Sequence, residues 1–222
     1  MCPTPVKGYH TTAGVSVPGT TTIIGRFKDS GALIGWAYNQ GAAGKPRFEK
    51  PEADLGTYVH ALIEAHLNKQ PEPEPPANIP PENVKRARAN AFEAFLRWRD
   101  GARMAIAPIE VALVSEKFLY GGTPDASGCE HDDQMSIIDW KSAKDFYPDN
   151  LIQGAAYINL WNEAYPKSPI DGFLHVIRFG KEGMDFAQHS FRIDHPRLQA
   201  AWRLFKLYRQ AWDEDKIVSG KA

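Results

Sequence analysis

The sequence predicts a protein of the α/β class, in its α+β form, with a mixed central sheet flanked by helices. Helix-type and strand-type patterns follow one another in the order α-α-β-β-β-α-β-β-α. Ile137 and Ile138 are both apolar, so this run fills both faces of a strand, as a buried central strand requires. A content of 43% hydrophobic and 24% charged residues is ordinary for a globular chain. We therefore expect residues 1–222 to form one domain, mainly helical over 1–105, with a core over 106–222 that carries the sheet.

The first fifty residues contain clusters of Gly, Thr and Pro, which favour loops and short elements. A short helix is expected to start near Thr20 to Thr22, with a threonine hydroxyl capping its first turn. A second short helix is expected around Ala32 to Gln40. The N-terminal part is therefore predicted to pack as short pieces, not as one long helix.

Two longer helices are predicted next. Ala53 to Lys69 has apolar residues at helical spacing. The segment 70–81 that follows contains six prolines, so we expect an exposed extended linker there. A second helix is predicted from Pro81 to Arg103, with a surplus of positive over negative side chains.

The second half of the chain alternates between strand-like runs and helices. A turn is expected from Ser127 to Asp133, and a hairpin turn over Gly180 to Gly183. Helices are predicted from Asp149 to Ala164 and from His195 to about Asp215. Strands are predicted over Ile106 to Val114, Glu116 to Asp125, Gln134 to Trp140, Gly172 to Phe179 and Met184 to Ile193.

Composition narrows the classes of protein that fit. The formal net charge of -1 argues against a uniformly basic coat for nucleic acid, although a local basic groove is enough to attract phosphates. Cys2 and Cys129 are too few for a disulfide framework or a four-cysteine iron–sulfur cluster, and they fit a reducing cytoplasm. We see no apolar run that could span a bilayer and no leader-like N-terminus.

Charged residues on the predicted central strand indicate a functional site. Asp139 and Lys141 are two residues apart, so their side chains emerge on one face of the strand, while Trp140 points to the other face. Charges on a buried strand must be paired or bind a metal. Asp125 lies on the preceding predicted strand. Two carboxylates beside a lysine suit Mg²⁺ or Mn²⁺ and the hydrolysis of phosphodiesters.

Each of these residues also has an ordinary structural interpretation. Asp125 follows Gly121-Gly122-Thr123-Pro124, where an aspartate is common in turns. Lys141 could form a salt bridge at a strand end. Gln153 and Tyr157 are four apart and share a helix face, yet a tyrosine at that spacing is also typical of a core. The spacing of Asp125 before Asp139, which suits adjacent strands, favours the functional interpretation.

The ordered set of motifs resembles the PD-(D/E)XK nucleases of the RecB and lambda-exonuclease branch. It is similar in pattern to phage and bacterial exonucleases and to the mitochondrial genome maintenance exonuclease. The pieces span roughly half of the chain and occur in the family's order. They are His60 in Gly56-Thr-Tyr-Val-His60, Glu110, Asp125 after Gly122, Asp139-Trp140-Lys141 and Gln153-xxx-Tyr157. This resemblance implies a restriction-endonuclease-like core.

The resemblance also implies roles for the individual residues. His60 would be an additional metal ligand beside Asp125 and Asp139, and the backbone carbonyl of Trp140 would complete the metal shell. Glu110 would orient Lys141 or a metal-bound water from a strand, with Glu116 as an alternative. An ordinary surface glutamate at Glu110, and a packed or exposed helix histidine at His60, are the other interpretations. Further residues would contact phosphate or DNA: Gln153, Tyr157, Ser142, Thr21, Thr22 and Trp36.

The long basic helix has two interpretations that the sequence does not separate. Its positive side chains, Arg86 and Arg88 among them, could line a channel that follows the backbone of single-stranded DNA. They could equally form an ordinary solvated surface. The N-terminal Thr-rich turn and Trp36 likewise fit either a DNA-facing element or a packed lid.

The function expected from these features is a divalent-metal-dependent DNA exonuclease that acts on single strands or duplex ends by in-line attack of an activated water. A structure-specific or restriction-like endonuclease and a non-catalytic DNA-binding module of the same fold are the alternatives. We expect a cytoplasmic protein of a bacterial or phage-infected cell, with a role in DNA recombination, repair or phage DNA metabolism. Expected partners are DNA and a recombinase, single-strand-binding protein or helicase, with no membrane.

Overall fold

A four-stranded mixed sheet organises the computed structural model, which describes residues 8–28, 31–44, 51–102, 104–106, 110–131, 134–143, 145–180 and 183–220. In chain order the elements are β1 (Tyr9–His10), β2 (Ser16–Val17), α1 (Thr20–Phe27), α2 (Gly31–Ala42), α3 (Pro51–Leu67), α4 (Pro81–Ala87), a π-helical turn (Arg88–Phe92), α5 (Glu93–Gly101), β3 (Leu113–Ser115), β4 (Tyr120–Gly122), β5 (Ala126–His131), β6 (Gln134–Ser142), α6 (Pro148–Ala164), β7 (Phe173–Phe179), β8 (Phe186–Arg192) and α7 (Pro196–Val218).

The strands of the main sheet lie in the order β5-β6-β7-β8. β6 pairs in parallel with β7, whereas β5 and β8 pair antiparallel on the two outer sides. Parallel neighbours need a crossover connection, and α6 supplies it between β6 and β7. The sheet is therefore mixed, as the sequence predicts, and β6 lies in its interior.

Two apolar cores lie on opposite faces of this sheet because its side chains alternate along each strand. On one face Ile137 and Leu174 pack with buried residues of α1, α6 and α7. On the other face Ile138, Trp140 and Phe179 pack with α3, the π-helical turn and α5. Helices on both faces of a mixed sheet confirm the α+β class.

Two small hairpins precede the main sheet. β1 pairs antiparallel with β2, and β3 pairs antiparallel with β4. Gly19, directly before α1, forms a parallel bridge with Gly121 of β4. The N-terminal segment is thereby fixed against the strand that leads into Asp125.

The expected turn from Ser127 to Asp133 is wrong. β5 occupies most of that stretch and pairs antiparallel with β6, with an irregularity between Ser127 and Cys129. Ser and Gly favour turns locally, but here the pairing of the segment with a central strand outweighs that preference. Asp125 consequently precedes a strand of the main sheet, and it does not end the previous one.

The two strands predicted before Asp125 are shorter than expected. Described residues between 106 and 125 form only β3 and β4, joined by a tight turn over 116–119. Leu119 has a left-handed backbone with φ 54°, and its N–H donates to the carbonyl of Ser115. This reversal interrupts the extended backbone that the apolar pattern suggests.

The predicted helices are found close to their expected bounds. The expected threonine cap is wrong, because Gly19 precedes α1 and gives no side-chain hydrogen bond, while the Thr20 hydroxyl donates to the carbonyl of Gly121 at 2.9 Å. The helix predicted from Pro81 continues through the π-helical turn into α5 and ends at Gly101.

The proline-rich segment is non-helical over 70–80, as predicted, and it is mostly exposed. Ile79 is buried against α3 and α4, so one end of the segment is anchored in the core. The expected turn at Gly180 to Gly183 lies partly outside the described residues, while the antiparallel pairing of β7 with β8 is present. Within the described part of the chain, no helix combines the length and apolar character needed to cross a membrane.

Candidate active site

The strand β6 presents Asp139 and Lys141 on one face of the main sheet. The Lys141 ammonium donates to Oδ1 of Asp139 at 2.8 Å and lies 2.7 Å from Oδ2. The side chain of Asp139 is 2% exposed and that of Lys141 is 21% exposed. The carboxylate is therefore at the bottom of the site, with the lysine between it and solvent. Trp140 points to the opposite core, as expected.

Asp125, the residue directly before β5, lies close to Trp140 in the middle of the same site. Its Oδ2 accepts the backbone N–H of Trp140 at 2.7 Å. Its Oδ1 lies 3.4 Å from Nδ1 of His60, which projects from the middle of α3. A side chain of α3 and a backbone N–H of β6 thus meet around one buried carboxylate.

Burial and neighbouring charges shift the two carboxyl groups in opposite directions. Burial raises the pKa of Asp139 to about 6, and the negative charge of Asp125 adds to this rise against the opposing effect of Lys141. Burial also acts to raise the pKa of Asp125, but His60, Lys141 and the Trp140 N–H outweigh it and hold that pKa below its usual range. Asp125 is the permanent charge of the pair.

A pair of glycines brings the segment before Asp125 close to its neighbours. Gly121 lies under the ring of Tyr9, where a Cβ would overlap it. A Cβ on Gly122 would lie 2.6 Å from a ring carbon of Tyr157 and 2.8 Å from the Thr20 hydroxyl. Consecutive glycines in the sequence are the signal that could have indicated this close approach.

Two hydroxyl groups that the sequence analysis did not assign also hold this segment. The Tyr9 hydroxyl lies 2.9 Å from the hydroxyl of Thr123, and both residues are buried. The contact joins residues that are 114 positions apart. Spacing along the chain carries no signal for it, so Tyr9 and Thr123 were missed.

Gln153 and Tyr157 lie on one face of α6, as their spacing predicts. The Gln153 amide donates to the Tyr157 hydroxyl at 2.8 Å. Tyr157 is buried against Gly122, three residues before Asp125, so α6 and the carboxylate segment are in direct contact. The pair is placed to support the site, and its proposed contact with phosphate remains a prediction.

Glu110 lies near the site but not on a strand, which corrects the expected position. It has a left-handed backbone with φ 53° in a loop, and its N–H donates to the carbonyl of Asp125 at 3.1 Å. Glu116, the alternative, is exposed in the turn before β4 and accepts the N–H of Thr12 at 2.7 Å. Glu110 is therefore the nearer of the two to the carboxylates.

The remaining residues assigned from the sequence lie around the site at different depths. Thr21, Thr22 and Trp36 are exposed on α1 and α2. Ser142 follows Lys141 at the end of β6 and approaches Gly56 of α3. These placements are compatible with a surface that surrounds the carboxylates, and their contacts with DNA remain predictions.

The two arginines proposed for nucleic-acid binding differ in their surroundings. Arg86 is exposed and contacts Asn83. Arg88 forms a two-pronged ion pair with Glu72 of the proline-rich segment, at 2.6 and 2.8 Å. Its guanidinium therefore fastens the linker to the helix, which favours a structural role for Arg88.

The donor set fits a hard divalent cation. Two buried carboxylates, whose pKa values are shifted in opposite directions, lie beside the His60 imidazole. Carboxylate oxygens are the donors that Mg²⁺ and Mn²⁺ prefer. Among the described residues no three His, Cys, Asp or Glu side chains form a ready-made cage. Mg²⁺ needs no such cage, because it keeps several waters and binds through one or two carboxylates. Asp125 and Asp139 would hold the ion, with His60 and the Trp140 carbonyl as further donors.

Comparison with known proteins supports the fold. The chain is similar to a candidate exonuclease from Eubacterium rectale, with a TM-score of 0.50 and 14% identity over 82% of this chain and 73% of that chain. The alkaline exonuclease from Laribacter hongkongensis is a weaker match, with a TM-score of 0.34 and 12% identity over 74% and 90% of the two chains. No family model and no curated protein matches the sequence. The class defined here is an α+β fold shared with the Eubacterium protein.

Proposed function

We propose that this protein is a divalent-metal-dependent deoxyribonuclease of the exonuclease type. The observation that carries the proposal is that the buried carboxylates of Asp125 and Asp139 lie next to His60 and Lys141. The likeness in fold to a candidate exonuclease supports the same class of activity. A buried carboxylate pair with a lysine at its solvent side is an arrangement for binding and hydrolysing a phosphodiester.

The residues of the site divide the work of hydrolysis. A divalent cation held by Asp125 and Asp139 would supply Lewis acidity and lower the pKa of water. Lys141 lies between Asp139 and solvent, where it neutralises the charge that develops on the phosphate oxygens. His60 and Lys141 keep Asp125 ionised, and the Trp140 N–H orients its carboxylate. Tyr157 and Gln153 hold the adjacent segment in place.

The proposed substrate is DNA with a free end, single-stranded or duplex. We propose a role in DNA recombination, repair or phage DNA metabolism, with a recombinase, single-strand-binding protein or helicase as the partner that presents the end. An end-dependent enzyme degrades linear DNA and leaves covalently closed circles intact. An endonuclease of the same fold would nick the circles.

The proposal is tested by a time course with 5′- and 3′-labelled single-stranded and duplex oligonucleotides, with Mg²⁺ or Mn²⁺ and with EDTA. We expect stepwise shortening of the linear strands with metal and none with EDTA. Binding of DNA without cleavage in either metal would contradict the nuclease and favour a non-catalytic binding module. Closed circular DNA in a parallel reaction separates exonuclease from endonuclease.

Variants of the strand β6 site test the assigned residues. We expect Asp139→Asn and Lys141→Ala to lower the rate of cleavage by at least about 100-fold, since each removes an interaction with the reacting phosphate or its cation. A melting curve checks that both variants fold. Titration calorimetry with Mn²⁺ gives a readout other than activity, and Asp139→Asn should weaken the binding of Mn²⁺.

Asp171→Asn is a matched control for the carboxylates. Asp171 accepts the N–H of Met135 at the start of β6, as Asp125 accepts that of Trp140 near its end. We expect Asp125→Asn to abolish cleavage and Asp171→Asn to leave it within about twofold. Equal losses in the two variants would mean that these aspartates only cap the strand.

A further inference from the structure

The strand next to β6 places a second cation beside Lys141. β6 and β7 pair in parallel, and Lys141 is in register with Arg178, just as Asp139 is in register with Val176. Residues in register on adjacent strands are about 5 Å apart and point to the same face. Arg178 therefore projects from the sheet on the side of the carboxylates, one strand further out.

Arg178 forms an ion pair with a carboxylate that is itself largely exposed. Its side chain is 17% exposed and its guanidinium lies 2.6 Å from Oδ2 of Asp185, which is 59% exposed. The Arg178 side chain is thus largely covered, and among the described residues its ion-pair partner is the largely exposed carboxylate of Asp185. Because the Asp185 carboxylate is largely in water, the pair contributes little to stability, and the guanidinium can exchange Asp185 for a phosphate.

The third strand continues this face. Ala187 of β8 is in register with Arg178, so the neighbour of Arg178 on the outer strand is a small side chain. His189, in register with Val176, stacks on Phe146 with ring centroids 4.7 Å apart. Across this face, Lys141 of β6 is therefore followed by Arg178 of β7 and then by Ala187 of β8. The stacked rings of Phe146 and His189 lie beside this row.

We propose that Arg178 binds a second phosphate of the substrate strand, next to the one held at Lys141. This inference rests on the proposed function, which makes the ligand a polynucleotide. A planar guanidinium donates two parallel hydrogen bonds to a phosphate, a geometry that a lysine does not offer. The Arg178 position thereby extends the site along the DNA backbone and adds to the affinity for DNA.

The competing interpretation is that Arg178 only fastens the β7–β8 connection. Asp185 is already fixed there, since its carbonyl accepts the N–H of Gly180 at 2.9 Å. If fastening were the whole role, then removal of either partner of the pair would have the same effect. If Arg178 binds phosphate, the two partners affect DNA binding in opposite directions.

The test is equilibrium binding of a fluorescent single-stranded oligonucleotide in EDTA, measured by anisotropy over roughly 50 to 200 mM salt. We expect Arg178→Ala to weaken binding about tenfold at the lower salt concentration and to reduce the slope of log K against log salt by about 0.7. Arg178→Lys should keep the slope but lose part of the affinity. Asp185→Asn should bind DNA as tightly as the unmodified chain or more tightly.

Arg192→Ala is the matched control. Like Arg178, Arg192 pairs with an aspartate, in its case Asp194 at 3.2 Å. It lies at the far end of the same ladder, in register with Phe173. We expect it to leave both affinity and slope unchanged. The proposal is overturned if Arg178→Ala behaves like Arg192→Ala, if Asp185→Asn weakens binding as much as Arg178→Ala does, or if the unmodified protein does not bind the oligonucleotide. Melting temperatures of all variants exclude unfolding as the cause.

Cleavage with Mg²⁺ is measured separately on the same proteins. If Arg178 contributes to substrate binding, then Arg178→Ala raises KM more than it lowers kcat. A salt slope that depends on Arg178 in a protein without cleavage would support this phosphate position and contradict the proposed nuclease. Cleavage that Arg178→Ala leaves unchanged would support the proposed nuclease and contradict the phosphate position at Arg178.

Discussion

At the scale of single residues, Asp139 illustrates how burial prepares a carboxyl group for a positive ligand. Its pKa is raised to about 6 from an ordinary value of 3.8, because burial disfavours the charged form and Asp125 is close by. An ionised Asp139 is therefore an unfavourable buried charge in the free protein. A cation at the site would remove that cost, so stability and ligand binding are coupled at this position.

The stability of the metal-free protein should depend on pH through Asp139. A group whose pKa is raised on folding stabilises the protein below its unfolded value, and this contribution is lost as pH rises through the folded value. We expect the melting temperature of the unmodified chain, relative to Asp139→Asn, to fall as pH rises from about 4 to about 7. Thermal melts of both proteins in EDTA measure this. Parallel curves over that range would contradict the raised pKa.

Gly122 should be intolerant of any side chain. A Cβ there would lie 2.6 Å from the Tyr157 ring and 2.8 Å from the Thr20 hydroxyl, closer than packed atoms allow. We expect Gly122→Ala to lower the free energy of unfolding by about 1–3 kcal/mol, as overpacking does. Gly25→Ala in α1 is the control, since its Cβ would meet nothing within 4 Å. Denaturant titrations that gave equal values for the two variants would refute the close contact.

At the scale of elements, β6 supplies most of the candidate site. It presents Asp139 and Lys141 on one face, buries Trp140 on the other and offers the Trp140 N–H to Asp125. The alternation of a strand makes this division automatic. α6, which follows directly, packs Tyr157 against the segment before Asp125. One continuous stretch of chain thus builds the floor and one side of the site.

Substitutions of Gln153 and Tyr157 on α6 should lower the rate of cleavage without changing the fold. We expect Gln153→Ala and Tyr157→Phe to lower kcat/KM by about tenfold or more, because each removes the hydrogen bond beside the site. Asn159→Ala is the control, since the Asn159 amide donates to the carbonyl of Ala155 within its own helix. Circular dichroism melts accompany the kinetics. Loss of cleavage in proportion to loss of stability would indicate a purely structural pair.

At the scale of the whole molecule, the sheet separates two cores that share its strands. Phe95 belongs to the core with α3 and α5, and Phe205 to the core with α1, α6 and α7. Neither side chain is exposed. Because β6 and β7 contribute residues to both cores, disruption of one core should destabilise the other core as well. That residues 1–222 form one domain stays a prediction, which the cooperativity of unfolding tests.

Unfolding should therefore be a single cooperative transition. We expect Phe95→Ala and Phe205→Ala each to destabilise the protein by about 3–5 kcal/mol and to lower the same transition. Calorimetry checks this by comparison of the calorimetric and van't Hoff enthalpies. Two resolved transitions, each shifted by one variant only, would contradict the single domain.

Much of the fold could be predicted because its signals are local. The apolar stripe of α3, the prolines of 70–80 and the double-faced run at Ile137 and Ile138 depend only on nearby residues. β5 could not be predicted in the same way, since Ser127 and Gly128 favour a turn, and it is the pairing of the residues around Gly128 with β6 that makes this segment a strand. The short turn that ends β3 was missed for a similar reason, because Leu119 carries no local sign of a positive φ.

The sequence by itself determined which side chains share a strand or helix face: Asp139 with Lys141, and Gln153 with Tyr157, since these pairs follow from the periods of 2 and 3.6 residues. Only the tertiary structure decided that His60 lies 3.4 Å from Asp125, that Tyr9 covers Gly121, and that Arg178 is in register with Lys141. Those contacts join distant parts of the chain. They depend on strand register and helix packing, which are set by the burial of whole faces and not by any local pattern.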